Sequence, residues 1–247
     1  MNTNYQRGID YARQNGTRLP SGVWWVPAHP SNYTASNRGR DRINAIVIHS
    51  TEGWGGGSQV FAKEGRKASA HYGIERNGMV TQMVADKDVA WHAGSGVNSQ
   101  SIGIEHAGFA KASRNDAGWP APLLRSSAKL VAKLARKYRI PPNRRHIFGH
   151  SESGGCKGLP SATPGNPVPG YVMNSAGERG GGFSCHYDPG IAFPWNRYMA
   201  LVRWYYYRPF ILAAGGLAAL VFVARSGRRR ARRRETGWQQ IAEGIVG

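Results

Sequence analysis

The chain has 247 residues, 40% of them hydrophobic, and a net charge of +19. That is enough to bury the core of one domain with appendages, or of two small domains. Only two cysteines, Cys156 and Cys185, exclude a disulfide-rich scaffold and a cysteine-based zinc finger. The 33 Gly and 14 Pro describe a loop-rich protein, and 8 Trp with 11 Tyr suit stacking on sugars or a membrane interface.

The charge is uneven. Nine arginines within 201–247 stand against only Glu235 and Glu243, beside an already basic domain. A polyanionic partner follows (nucleic acid, anionic lipid or an acidic cell-wall polymer), with solubility alone as the plainer reading.

Residues 1–20 are polar and lack the apolar stretch of a secretory signal, so 1–40 reads as an irregular lead-in carrying Trp24 and Trp25. Ile43–His49 is a run of β-type residues and predicts a buried strand, broken at Gly55-Gly56-Gly57. A short helix is expected over 58–64. Ser69–Glu75 and Met79–Val84 flank Arg76-Asn77-Gly78, a hairpin pattern, and 101–106 predicts another strand. Leu123, Ser127, Leu130, Leu134 and Tyr138 recur at helical spacing, and Pro141-Pro142 stop the helix. A last short strand is expected at 145–149. Strands interleaved with helices imply an α/β domain around one sheet, spanning 41–200.

Residues 151–187 form a long Gly/Pro-rich loop of the kind that is usually functional. A Cys156–Cys185 disulfide is expected to close it, the alternative being two unpaired thiols. Residues 210–224 are uncharged, and with Trp204–Tyr207 as an aromatic belt, 204–224 is expected to be an apolar C-terminal helix that crosses a membrane. The seven arginines of 225–234 would then lie on the cytoplasmic side. The plainer reading is a buried helix of the soluble domain.

Two histidines stand at strand ends beside small hydroxyl residues, in His49-Ser50-Thr51 and His150-Ser151-Glu152, and Asp188 follows the long loop. Two imidazoles and one carboxylate would leave a tetrahedral zinc with its fourth position open to water. Spacing alone carries this weakly, because a histidine at a strand end is more often structural.

Six stretches are more specific: IVIHST (46–51), SAHYGIERNGMVTQMV (69–84), VAWHAG (89–94), SIGIEHAG (101–108), IFGHSE (147–152) and YDPGIAFPW (187–195). In this order they resemble the type 2 N-acetylmuramoyl-L-alanine amidases, which share with the peptidoglycan recognition proteins a fold that the resemblance implies here, a central mixed sheet flanked by helices. The resemblance covers about 43–198. It implies a Zn2+ site at His49, His150 and Asp188, and Glu105 as general base. It also implies cleavage of the lactyl amide joining N-acetylmuramic acid to L-alanine in peptidoglycan, or peptidoglycan binding without cleavage if the chain is a recognition module. Where many members have Lys, this chain has His186, which can donate a hydrogen bond to a developing oxyanion in a pH-dependent way. Ala70 stands where some members have Tyr, which leaves Glu105 as the acid/base candidate. The resemblance implies that the regions of His71, Trp91 and His92 line a substrate groove, with packed core residues as the plainer reading of the two histidines. Thr51 is expected to orient a ligand or product by hydrogen bonding, whereas His29, His106 and His146 read as incidental. The expected partners are peptidoglycan and, through the C-terminal segment, a membrane; nucleic acid is disfavoured and a monomer expected. The expected setting is the bacterial cell wall, reached by a phage lytic enzyme or an envelope amidase.

Overall fold

A computed structural model of the chain describes residues 3–110, 118–152, 186, 188–190 and 192–211. Its elements, in chain order, are α1 (Thr3–Asn15), β1 (Thr17–Arg18), β2 (Trp24–Trp25), β3 (Tyr33–Thr34), β4 (Ala45–Ser50), α2 (Ser58–Phe61), β5 (Tyr72–Ile74), β6 (Val80–Gln82), β7 (Val89–Ala90), α3 (Ser95–Asn98), β8 (Ser101–His106), α4 (Ala121–Tyr138) and β9 (Ile147–Gly149). A final helix, α5, runs over 195–211. Seven strands form one mixed sheet in the order β1-β2-β6-β5-β8-β4-β9, and β3 pairs with β7 in a separate ribbon. At its centre β5, β8, β4 and β9 run parallel, and β6 is antiparallel to β5.

The two faces of the sheet differ because side chains alternate along a strand. Ile46 and Ile48 of β4, with Ile102 and Ile104 of β8, point to the face covered by α4 and α5. There they meet Leu123, Leu124, Val131 and Leu134, then Tyr198, Met199 and Val202. Helix α4 reads as its periodicity predicts, and it ends where Arg139 takes a left-handed conformation (φ 57°) just before Pro141. The opposite face carries Ala45 and Val47, packed on Ala93, Val97 and Phe148. Further along that second face of β4 and β8 stand His49 and Glu105, paired in register across the two parallel strands.

Several expectations change. Residues 1–40 are not irregular: α1 buries Ile9 and Ala12, and Trp24 and Trp25 add β2 to the sheet alongside β6. The hairpin strands are shorter than expected, three residues each. The membrane anchor is overturned: among the described residues no helix is long and apolar enough to cross a membrane. Residues 204–211 instead continue α5, whose Tyr198 and Val202 are fully buried in the protein's own core. Tyr205 and Tyr206 pack against that core, and Arg136 Nη1 donates to their backbone carbonyls at 2.7 and 3.2 Å. Tyrosines read as an interfacial belt are thus partly covered by the protein itself, and the core runs past residue 200. The remainder of the expected span, 212–224, the arginine tail, and both Cys156 and Cys185 lie outside the described residues.

Candidate active site

Parallel pairing sets the site. His49 is the penultimate residue of β4, and His150 directly follows β9, the neighbouring strand, so the two rings approach to 4.8 Å between centroids. The turn after β9 is clamped by Glu152, which accepts from Gly149 N–H at 2.7 Å and whose two carboxylate oxygens both accept from Arg144 Nη2, at 2.5 and 2.6 Å. That guanidinium also lies 3.3 Å from the centre of the Trp195 ring. Asp188 arrives from far along the chain and is fixed by its backbone, where Ser151 N–H donates to the Asp188 carbonyl at 3.0 Å.

The Asp188 carboxylate sits between the two imidazoles, with Oδ2 at 2.9 Å from His49 Nδ1 and Oδ1 at 3.3 Å from His150 Nδ1. One ligand atom from each of the three residues falls within 4.8 Å of the others, and all three residues are buried. Burial pushes the His49 imidazole down, against the pull of Asp188. Burial would raise Asp188, but hydrogen bonds from His150 and His49 outweigh it and hold the carboxyl far below its usual range. Two imidazoles, one of them pressed toward neutrality, with an ionised carboxylate between them make a donor set fit for a divalent cation.

These residues line a cleft of about 830 Å³. Glu105 is on its floor, one strand from His49. Its Oε2 is buried without a hydrogen-bond partner among the described residues. Burial first, then Asp188 and Glu52, pushes the Glu105 carboxyl well above the usual carboxylate range. A cation on Asp188 would cancel the second of these causes. His186 is exposed at the cleft edge, stacked on His150 at 4.8 Å with an interplanar angle of 23°. Trp91 forms a half-buried wall whose indole N–H donates to Thr34 Oγ1 at 2.9 Å across the β3–β7 ribbon. Thr51 lines the cleft, with its hydroxyl turned toward the backbone carbonyls of Gly53 and His106 at 3.3 and 3.4 Å.

His71 is not among the cleft-lining side chains. It is fully buried, its Nδ1 accepts from Gly103 N–H at 3.0 Å, and burial followed by the nearby Arg38 pushes it down to about 3. The expected substrate contact gives way to a packing role beneath the cleft. His92 does line the cleft, but its ring nitrogens face protein: Nδ1 lies 3.0 Å from His49 Nε2 and Nε2 3.2 Å from Ser101 Oγ.

His106 is far from incidental. Its Nδ1 lies 2.9 Å from the His49 carbonyl and its Nε2 2.6 Å from Ser127 Oγ, which in turn lies 2.7 Å from Tyr198 Oη. A carbonyl can only accept, so Nδ1 carries the proton, Ser127 donates to Nε2, and Tyr198 donates to Ser127. This buried chain ties α4 and α5 to the backbone of His49. Its sequence signal was Ser127 on an otherwise apolar helix face. Glu52 is a second residue that sequence reasoning missed: its Oε1 accepts from Ser50 Oγ and Ala110 N–H at 2.8 and 2.7 Å on the cleft wall.

The chain's relatives agree with this geometry. The model of the N-acetylmuramoyl-L-alanine amidase family matches residues 39–165. N-acetylmuramoyl-L-alanine amidase A of Achromobacter lyticus is 34% identical over 183 residues, covering 72% of this chain and 92% of the relative. The structure of the Staphylococcus aureus hydrolase AmiA, solved with its ligand, superposes with a TM-score of 0.54 at 14% identity, over 82% of this chain and 90% of AmiA, which is a likeness of fold. The family match takes in about half the chain, and the Achromobacter likeness runs nearly the whole length of that relative: the chain belongs to the N-acetylmuramoyl-L-alanine amidase family.

Proposed function

We propose that the family's reaction, hydrolysis of the amide between N-acetylmuramic acid and L-alanine in peptidoglycan, runs here in a zinc-loaded cleft. His49, His150 and Asp188 are the ligands and Glu105 the general base. The convergence of three buried ligand atoms within 4.8 Å of one another supports this reading most directly. Zinc is the metal that this donor set favours, because two imidazoles and one carboxylate leave a tetrahedral position open. When bound, zinc supplies Lewis acidity, which polarises the scissile carbonyl and makes a water molecule more acidic.

The protein's own groups do the rest. Glu105 takes the proton from the attacking water and passes it to the leaving amine of L-alanine, so no free amide anion has to leave. One of its oxygens is buried without a partner among the described residues, and its raised pKa suits a carboxyl that must hold a proton before giving it up. His186, exposed beside His150, donates a hydrogen bond to the carbonyl oxygen as charge develops on it. Trp91 offers its ring face to a sugar, and Thr51 lies where it can orient the substrate's backbone. The catalytic domain is proposed as 41–200, extended by the packed segments on either side. Its site of action is wall peptidoglycan.

The metal assignment is tested by metal analysis of the purified protein beside its Asp188→Ala and His150→Ala variants. One zinc per chain in the wild type, lost in both variants together with peptide release, is the expected result. Full metal content in either variant would remove that residue from the ligand set. Zinc retention and wall binding by the wild type without any peptide release would make the protein a recognition module.

A further inference from the structure

His92 is built into the site from behind. Its backbone N–H and that of Ala93 both donate to the buried Asn98 side chain, at 3.0 and 2.7 Å. Its ring fits only because residue 103 is glycine: a Cβ there would fall 2.5 to 2.8 Å from three ring atoms of His92. The His92 and His49 rings meet edge to face, with centroids 5.1 Å apart and planes at 82°. A residue held so firmly by backbone and packing has little freedom to follow a substrate.

The hydrogen-bond polarity says what it does. Ser101 Oγ lies 2.7 Å from the Val97 carbonyl, which can only accept, so the hydroxyl donates its one proton there. Ser101 Oγ must then accept from His92 Nε2 at 3.2 Å, so His92 carries its proton on Nε2. A neutral His92 has a bare Nδ1, which accepts from His49 Nε2–H at 3.0 Å. His49 is thereby left with a bare Nδ1, aimed at Asp188 Oδ2 2.9 Å away. Two lone-pair atoms at that distance face each other comfortably only with a cation between them. The opposite polarity, with His49 Nδ1–H donating to Asp188, turns the whole chain round and strips the Val97 carbonyl of its short bond from Ser101.

We propose that His92, through Ser101 and the Val97 carbonyl, is a positioning residue that fixes His49 in the tautomer able to ligate through Nδ1, and that it is not a substrate contact. The inference rests on the zinc reading of the cleft. Outer partners of this kind typically change metal affinity by about 10- to 100-fold.

The test is a competitive zinc titration of the metal-free protein and of His92→Phe, His92→Asn and Gly103→Ala, with circular dichroism to establish folding and with the imidazole 15N signals of His49 read in the zinc-loaded state. His92→Phe is expected to bind zinc about 10- to 100-fold more weakly while KM for peptidoglycan fragments changes little. His92→Asn, whose side-chain oxygen lies near the place of Nδ1 and can accept the same bond, is expected to recover most of that loss. Gly103→Ala, which drives the ring out of place, should resemble His92→Phe. Wild-type zinc affinity in folded His92→Phe, a raised KM with unchanged zinc affinity, or no difference between His92→Asn and His92→Phe would overturn the proposal. Failure of the wild type to bind zinc at all would instead sink the metal reading.

Discussion

Glu75, directly after β5, gives the sharpest prediction about stability. It is fully buried, and its Oε1 accepts from Gly56 N–H at 3.0 Å while Oε2 has no partner among the described residues. Helix α1 closes over it so tightly that a Cβ at Gly8 would lie 2.8 Å from Oε1. Burial, opposed only in part by the Gly56 bond, pushes this carboxyl from 4.5 up to about 7. Between those two values the folded protein keeps a proton that the unfolded chain has lost, so stability falls as pH rises through that window and is level above it. A shift of that size corresponds to roughly 3 kcal/mol. Glu75→Gln keeps the acceptor for Gly56 but has no charge to bury, and its unpaired amide N–H costs roughly 1–3 kcal/mol. The variant should therefore be less stable than wild type at pH 4.5, and the gap should close by roughly 3 kcal/mol by pH 8. Urea unfolding of both proteins across that range measures it, and taking the difference between them cancels pH effects elsewhere. Parallel stability curves would refute the reasoning. Because Glu75 holds Gly56, next to the cleft-lining Gly57, the same variant also shows whether this buried acid governs the cleft wall.

Two other outcomes follow from local geometry. Gly190 has φ +82°, and a Cβ there would lie 2.1 Å from the Ala110 carbonyl oxygen, so Gly190→Ala should cost roughly 2–5 kcal/mol in a thermal or urea melt and displace the nearby Asp188, with loss of metal. Asp86 accepts from the hydroxyls of Tyr72 and Tyr138 at 2.7 and 2.6 Å and from Lys137 Nζ at 2.7 Å. Burial alone would raise its pKa, yet these bonds hold it below the ordinary carboxylate value. Its contribution is therefore present above that ordinary value and lost as pH falls through the folded one. Asp86→Asn should cost roughly 1.5–3 kcal/mol at pH 7 and progressively less as pH is lowered below the ordinary carboxylate value, and a cost that does not fall with pH would contradict the assignment.

What the sequence disclosed and what it hid divide along physical lines. β4, β8 and α4 each bury a continuous apolar face, so period and composition mark them almost to the residue. His49, Glu105 and His150 lie within or just after such segments, and their motifs are local. Ile9 and Ala12 are the buried hydrophobic side chains of helix α1 among those described, too few to set a period, and two-residue strands such as β2 leave no pattern to read. The 204–224 stretch misled for a related reason. Tyr205 and Tyr206 are apolar because they pack on the protein's own core, and hydropathy does not distinguish a core from a lipid. Roles set by hydrogen-bond partners far along the chain were also hidden. The pairing of His92 with His49, and the chain from His106 through Ser127 to Tyr198, exist only once β4, β8, α4, α5 and the segment between β7 and α3 have come together.

The most direct test of the whole account is digestion of purified peptidoglycan by zinc-loaded wild type and Glu105→Gln, with the new ends identified by mass spectrometry and zinc measured in both proteins. The account predicts peptides beginning with L-alanine from the wild type. It also predicts equal zinc in the variant, with turnover lower by about 10²- to 10⁴-fold. Cleavage at any other bond, or a Glu105→Gln protein as active as the wild type, would contradict it.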